Sequence, residues 1–266
     1  MVAGQLDRFS ARSTRLYSPS ELALLALTSL FTSAMTAVAA LGGGAIMIAT
    51  LLMFMPPAVA IPMQGMIQLV GAGSRIGLLH RHIAWPIVWR VVLPLPVGAA
   101  LGLWLFQGLP QHTIELLIGL FVLLTLFSRR LKFFRERDMP LWGFIPLGFA
   151  IGALSVTVAV VAMFTGPFML RKDLNKQAIN VTMAAIAALG HLTKIIGFSA
   201  IGFRPQDHWA PFIVMVPTVI LGTFLGERVL QRMSEQIFLW IFRVTLVGLA
   251  GKLVVWDALV QPYLLS

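Results

Sequence analysis

Apolar residues fall into eight runs, at about 20–55, 58–79, 84–106, 112–128, 141–170, 177–201, 209–226 and 236–260, with charges gathered in short islands between them. A helix needs about 20 apolar residues to cross a hydrocarbon core about 30 Å thick. Most of the runs have that length, so the pattern predicts an all-α polytopic membrane protein. The island SRRLKFFRERDMP (128–140) separates two sets of four runs. The expected organisation is a polar tail over 1–19, a first transmembrane repeat over 20–128, a basic linker over 129–140 and a second repeat over 141–260.

The first run of each set is long for one crossing and short for two. As continuous helix, 20–55 would reach roughly 54 Å and 141–170 roughly 45 Å. Both carry helix-breaking residues near the middle, LGGGA (41–45) and TGP (165–167), because glycine admits unusual backbone angles and proline removes an amide donor. Non-helical backbone at membrane depth survives only when buried in protein or lining a cavity. Each first run is therefore expected to be a broken or re-entrant helix.

The two sets also resemble each other. GAGSR (71–75) and GHLTK (190–194) share Gly-x-x-[Ser/Thr]-[Arg/Lys] and lie 119 positions apart. Trp85 and Trp209 open the third runs. PLPVGAALG (94–102) echoes PTVILGTFLG (217–226), both ending in Gly-x-x-x-Gly, a pattern that lets helices approach closely within a chain or across a dimer. Three matches in one order predict two homologous repeats. Tandem repeats around discontinuous helices are a transporter architecture, with substrate held near the midplane at the repeat interface. Four single crossings per repeat make the repeats parallel. A re-entrant second broken helix inverts them and returns the basic turn LRKDLNK (170–176) to the side of the linker.

Composition and charge narrow the class. The chain is 58% hydrophobic and 11% charged, against roughly 25% charged in soluble domains. Its net charge of +10 does not point to nucleic acid, because the basic residues flank apolar spans, where they set topology. The linker holds five Lys or Arg against two acids and is expected to be cytoplasmic. The tail, with Arg8, Arg12 and Arg15, and the turn LLHRHIAW (78–85) share that side if each of the first four runs crosses once. The tail, the apolar stretch from Leu22 and AVAA (37–40) imitate a secretion signal. Cleavage is not expected, because the segment beyond it pairs with a later one in the repeat. No cysteine is present, so disulfide and thiolate chemistry are excluded.

Candidate chemistry lies on the second run of each set. Gln64, Gln68, Gly71 and Arg75 recur along one helical face, as do Asn180, Ala184, Ala187, His191 and Lys194. Thr182 joins the candidates beside Asn180. Each stripe is small and polar and ends in a cation. Polar stripes in lipid face a neighbour or a cavity, so two related stripes predict one shared cationic cavity. The competing explanation has Arg75 and Lys194 snorkelling to the headgroups and the amides bonding between helices. His191 is open between binding an anion, accepting a proton and capping a carbonyl. The broken turns would add backbone donors at half-helix ends: Gly42, Gly43 and Gly44 in the first, Thr165, Gly166 and Pro167 in the second. As packing glycines, the triplet needs no ligand. HRH (80–82) places its histidines two apart without a carboxylate or cysteine, so no metal or other cofactor is expected.

The sequence resembles the TauE/SafE sulfite-exporter family of small polytopic carriers. The resemblance rests on LGGGAIMIATLL (41–52), IPMQGMIQLVGAGSR (61–75), HRHIAW (80–85), FTGPFMLRKDLNKQAINVTMAA (164–185) and HLTKIIGF (191–198), and it covers about residues 22 to 256. The second broken helix departs from the family's glycine-rich turn, carrying SVTVAVVAMFTGP instead. The resemblance implies a carrier of small anions, sulfite or an organosulfonate, in a bacterial inner membrane. The ten acidic residues all fall in tails, loops or helix ends, so no buried carboxylate relay is available to couple export to protons. Alternating access for an anion at the cationic cavity is therefore the expected function, with a proton- or sodium-coupled importer or an anion channel as alternatives. An intramembrane enzyme would need a nucleophile–base pair, paired carboxylates or a metal at depth. Ser155 and Thr157 have no evident partner, so no enzymatic activity is expected. The expected partners are a small anionic substrate and membrane lipid, with no nucleic acid and with a homodimer left open.

Overall fold

The computed structural model describes residues 17–39, 43–110, 139–157 and 173–229, with isolated positions 113, 114, 116–118, 120, 165, 168, 169 and 171. All regular structure among them is helical: α1 (Pro19–Ala39), α2 (Gly43–Leu51), α3 (Pro57–Leu79), α4 (Trp85–Val92), α5 (Leu95–Gly108), α6 (Phe144–Thr157), α7 (Lys176–Ala200) and α8 (Trp209–Val229). Single 3-10 turns occur at His80–His82, Leu141–Gly143 and Pro205–His208.

The helix ends follow from local chemistry. Before α1, Ser18 and Glu21 satisfy each other's backbone amides: Ser18 N–H donates to Glu21 Oε2 at 2.9 Å and Glu21 N–H to Ser18 Oγ at 3.3 Å, the reciprocal arrangement of a capping box. Asn175 caps α7 by accepting from the Ala178 amide at 2.8 Å. Gly202, with φ of 111°, closes α7. Its amide donates to Ser199 O at 3.2 Å, and that of Phe203 to Phe198 O at 2.9 Å, a pairing that consumes terminal carbonyls and needs a left-handed residue.

The first apolar run divides into α1 and α2. Thr32 Oγ1 reaches Met47 Sδ at 3.9 Å, and a Cβ on Gly43 would collide with Thr36 Oγ1 and the Thr32 carbonyl. Residue 36 thus lies beside 43 and residue 32 beside 47, so α2 runs back along α1. Nearly all of α2 is buried, including Ala45, Met47, Ile48 and Leu51, as expected of a helix apolar on every side.

Three packings organise the rest: α3 on α7, α5 on α6, and α8 on α1. The pairs α5–α6 and α8–α1 are parallel and in close backbone contact. A Cβ built on Gly102 would lie 2.9 Å from Ala153 Cα, and one on Gly226 would lie 2.7 Å from Ala34 Cα. Gly98 likewise meets the Phe149 carbonyl and Gly222 the Leu30 carbonyl. Both Gly-x-x-x-Gly pairs therefore serve packing within the chain. The pair α3–α7 is antiparallel, with Gln64 beside Lys194 and Arg75 beside Asn180.

These directions place the chain's turns. His80–His82 packs against α7, and the Ala84 amide bonds Thr182 near its start. Arg171 donates to the Met139 carbonyl, close to the Leu141–Gly143 turn, and pairs with Asp173 at 2.9 Å. That hydrogen bond holds the Asp173 carboxyl below its ordinary range. The basic turn at 171–175 therefore shares one end of the bundle with the 80–84 turn. Ala37, near the end of α1, reaches Asn180, so Pro19 lies toward the opposite end. The expected common side for the N-terminal tail and the HRH turn depended on four single crossings, and the return of α2 along α1 removes that condition. Residues 1–16 and 129–138 lie outside the described residues.

Among the described residues four stretches are long and apolar enough to cross a membrane: Pro19–Ala37, Trp85–Gly108, Gln177–Ala200 and Pro205–Gly226. Trp85, Trp89, Leu93, Val97, Leu101 and Trp104 are all exposed and recur along one face of α4 and α5. An outward stripe of this kind is stable in hydrocarbon and costly in water.

Candidate functional site

The two polar stripes meet on facing sides of α3 and α7. Gly65 makes the approach close: a Cβ there would sit 3.4 Å from Lys194 Cδ and 3.7 Å from the His191 carbonyl. Lys194, with no exposed surface, donates from Nζ to Gln64 Oε1 at 3.0 Å, and Gln64 itself is 1% exposed. About 16 Å along α3, the relation is reversed. Arg75, 6% exposed, donates from Nη1 to Asn180 Oδ1 at 3.4 Å and from Nε to the Gly71 carbonyl at 3.4 Å. Each helix thus sends one cation to a carboxamide on the other. Neither cation snorkels, because both are enclosed by protein.

Asn180 has a second role. Its Nδ2 donates to the Ala37 carbonyl at 3.3 Å. Helices leave their last carbonyls without internal partners, so Asn180 satisfies one of these on α1 while holding the Arg75 guanidinium. Thr182, wholly buried, accepts the Ala84 amide at 2.9 Å and fixes the start of α4. Its hydroxyl is engaged away from the α3–α7 seam.

His191 differs from its neighbours. Its Nδ1 is shielded from solvent and has no hydrogen-bond partner among the described residues, and it lies one turn before Lys194 on the same helix. Gln68 is half-buried and makes no hydrogen bond among the described residues. It lies three residues after Gly65, on the side of α3 that faces α7.

The two expected broken turns fall largely outside the described residues. Gly43 is used in packing, against Thr32 and Thr36, and Gly44 is half-buried beside it. Thr165 is buried. Gly42, Gly166 and Pro167 lie outside the described residues. Among the described residues no three His, Asp or Glu side chains gather as a metal site.

Sequence reasoning did not find Gly65, the Ala37 carbonyl or the Ala84 amide as participants. Gly65 had a usable signal, a small residue on the face already marked by Gln64 and Gln68. Backbone groups have none, since their part depends on where helix ends fall in space.

A family model, Sulfite exporter TauE/SafE, matches residues 25–253. No curated protein and no solved structure matches the chain.

Proposed function

We propose, from the premise that this chain belongs to the TauE/SafE sulfite exporter family and is an integral membrane transporter of the anion-export type, that it exports sulfite or an organosulfonate by alternating access between two inverted repeats. The observation that carries the proposal is the reciprocal seam of α3 and α7, where Lys194 binds Gln64 and Arg75 binds Asn180. A buried cation is costly in hydrocarbon, and two of them at one seam give it a positive field that attracts an anion.

The inverted arrangement is supported by how the contacts exchange. Residues 119 apart, Leu30 with Phe149 and Ala34 with Ala153, receive glycine pairs 124 apart, Gly222 with Gly98 and Gly226 with Gly102. Each half thus lends its glycine helix to the other half's first helix. The antiparallel course of α3 and α7, which carry the matching cations, supports a pseudo-twofold axis lying in the membrane plane, the relation of inverted-repeat carriers. On the same ground, α1 with α2 is the first broken element, and its re-entrant return is what inverts the second half.

Basic residues at the end that holds Arg81 and Arg171 support a cytoplasmic assignment for that end, in a bacterial inner membrane. An inside-negative potential then favours anion exit by about 2.3 kcal/mol per charge per 100 mV, roughly a fiftyfold gradient. No second energy source is required. The substrate is a small anion, and lipid covers the outer tryptophan stripe.

The test is flux from proteoliposomes loaded with sulfite, with potential set by potassium and valinomycin. Export is expected to saturate with sulfite and to accelerate as the interior becomes negative. Flux that follows an imposed proton or sodium gradient and ignores potential would instead establish a coupled importer. Flux without saturation would establish a channel.

A further inference from the structure

Buried polar atoms almost always have a hydrogen-bond partner, and one without a partner calls for a missing ligand or water. Among the described residues a single shielded side-chain atom lacks one, His191 Nδ1. The antiparallel register set by Gln64–Lys194 and Arg75–Asn180 brings Gln68 to the level of Ala187 and His191. Gln68, Ala187 and His191 all keep some accessible surface, although they sit on the facing sides of α3 and α7. The two cations, by contrast, are hydrogen-bonded to carboxamides on either side of this level.

We infer that the translocated anion is held by His191 Nδ1 and the Gln68 carboxamide, between the Lys194–Gln64 and Arg75–Asn180 pairs and about one turn from the former, and that the cations act as positioning residues that close the seam above and below it. The inference rests on the export function proposed above and assigns its ligand contacts. It also narrows the substrate class. Two neutral donors on opposite helices suit an oxyanion, which offers separate oxygens to each, over a halide, which offers one centre. The positive field of the flanking cations attracts the anion without forming a direct ion pair. An ion pair at the binding level would hold the anion tightly and slow its release.

The experiment is sulfite binding by calorimetry to the purified full chain, with sulfate, a sulfonate and chloride as comparison anions, alongside unfolding of the ligand-free protein. His191→Leu and Gln68→Leu are expected to weaken oxyanion binding about tenfold or more, the loss of one hydrogen bond to a charged group. Their ligand-free melting temperatures are expected to stay at or above wild type, because neither atom has a protein partner to lose. Gln68→Asn, which keeps the amide, is expected to retain part of the affinity that Gln68→Leu loses. Wild-type affinity in both leucine variants overturns the inference while leaving export intact. Loss of binding in both, combined with no flux in proteoliposomes, sustains the contacts and overturns export. A wild-type protein that binds none of the anions overturns both.

Discussion

Adding one methyl group at Gly102 or Gly226 tests the exchanged helix packing at two matched places. A Cβ on Gly102 would lie 2.9 Å from Ala153 Cα and 3.0 Å from its carbonyl carbon. A Cβ on Gly226 would lie 2.7 Å from Ala34 Cα and 3.0 Å from its carbonyl carbon. Carbon atoms rest at about 3.5–4.0 Å, so each helix pair must open by about 0.6 Å or more. The obstructing atoms are backbone, which cannot rotate away as a side chain would. Overpacking of this kind costs about 1–3 kcal/mol. Gly73 and Gly77 provide the opposite case, because a Cβ at either meets nothing within 4 Å. Alanine there gains about 0.5–1 kcal/mol by restricting the unfolded chain within a helix. Tryptophan fluorescence during thermal unfolding in detergent reads all four variants. Gly102→Ala and Gly226→Ala should lower the melting temperature by similar amounts, and Gly73→Ala should leave it unchanged or raise it. If Gly102→Ala and Gly226→Ala were as stable as wild type, the close backbone contacts across both pairs would be refuted.

The Lys194–Gln64 pair predicts an asymmetric double-mutant cycle. Gln64→Leu removes the carboxamide that receives Lys194 Nζ at 3.0 Å and should cost about 1–3 kcal/mol, Lys194→Met should cost a similar amount by leaving the Gln64 amide oxygen without its donor, and the double variant should recover much of the loss in chemical denaturation. Asn180→Ala removes partners from both Arg75 and the Ala37 carbonyl, so hydrogen exchange should quicken in the last turn of α1, and an unchanged rate would disprove that link. Arg171 depresses the Asp173 pKa in the folded protein, so the pair contributes stability above the unfolded carboxyl's range, and that contribution disappears as pH falls through the folded value. Asp173→Asn should therefore destabilise slightly at pH 7, and the difference from wild type should shrink as the pH falls through the acid range. Because the chain has no cysteine, Arg81→Cys and Arg204→Cys can be labelled singly with an impermeant maleimide in oriented vesicles. They should react from opposite sides, and labelling from one side would contradict the helix directions.

Much of the architecture could be read from residue order because membrane helices are governed by length and polarity. Six of the eight runs located the described helices, the run at 236–260 and most of that at 112–128 lying outside the described residues, and the offset of 119 between Arg75 and Lys194 marked the two helices that face each other. Direction was harder to read. Nothing in LGGGA states whether the chain continues or turns back; the answer lies in how Thr32 and Thr36 receive Gly43 and Met47. The stripes put Gln64 and Lys194 on inward faces, yet periodicity cannot pair a residue on one helix with a residue on another. That pairing depends on register, which Gly65 sets by permitting close approach. Thr182 shows the limit most plainly. Its position beside Asn180 placed it among the candidates, while its hydroxyl is committed to the Ala84 amide, a partner defined only once α4 is folded against α7.

Charge movement by proteoliposomes adsorbed on a sensor tests the central claim most directly, since it detects anion transport without assuming a coupling ion. A sulfite jump should displace charge in wild type, with a peak that saturates with concentration, and Arg75→Gln combined with Lys194→Met should abolish it. An undiminished signal in the double variant, or none in folded wild-type protein, would contradict anion export at the α3–α7 seam.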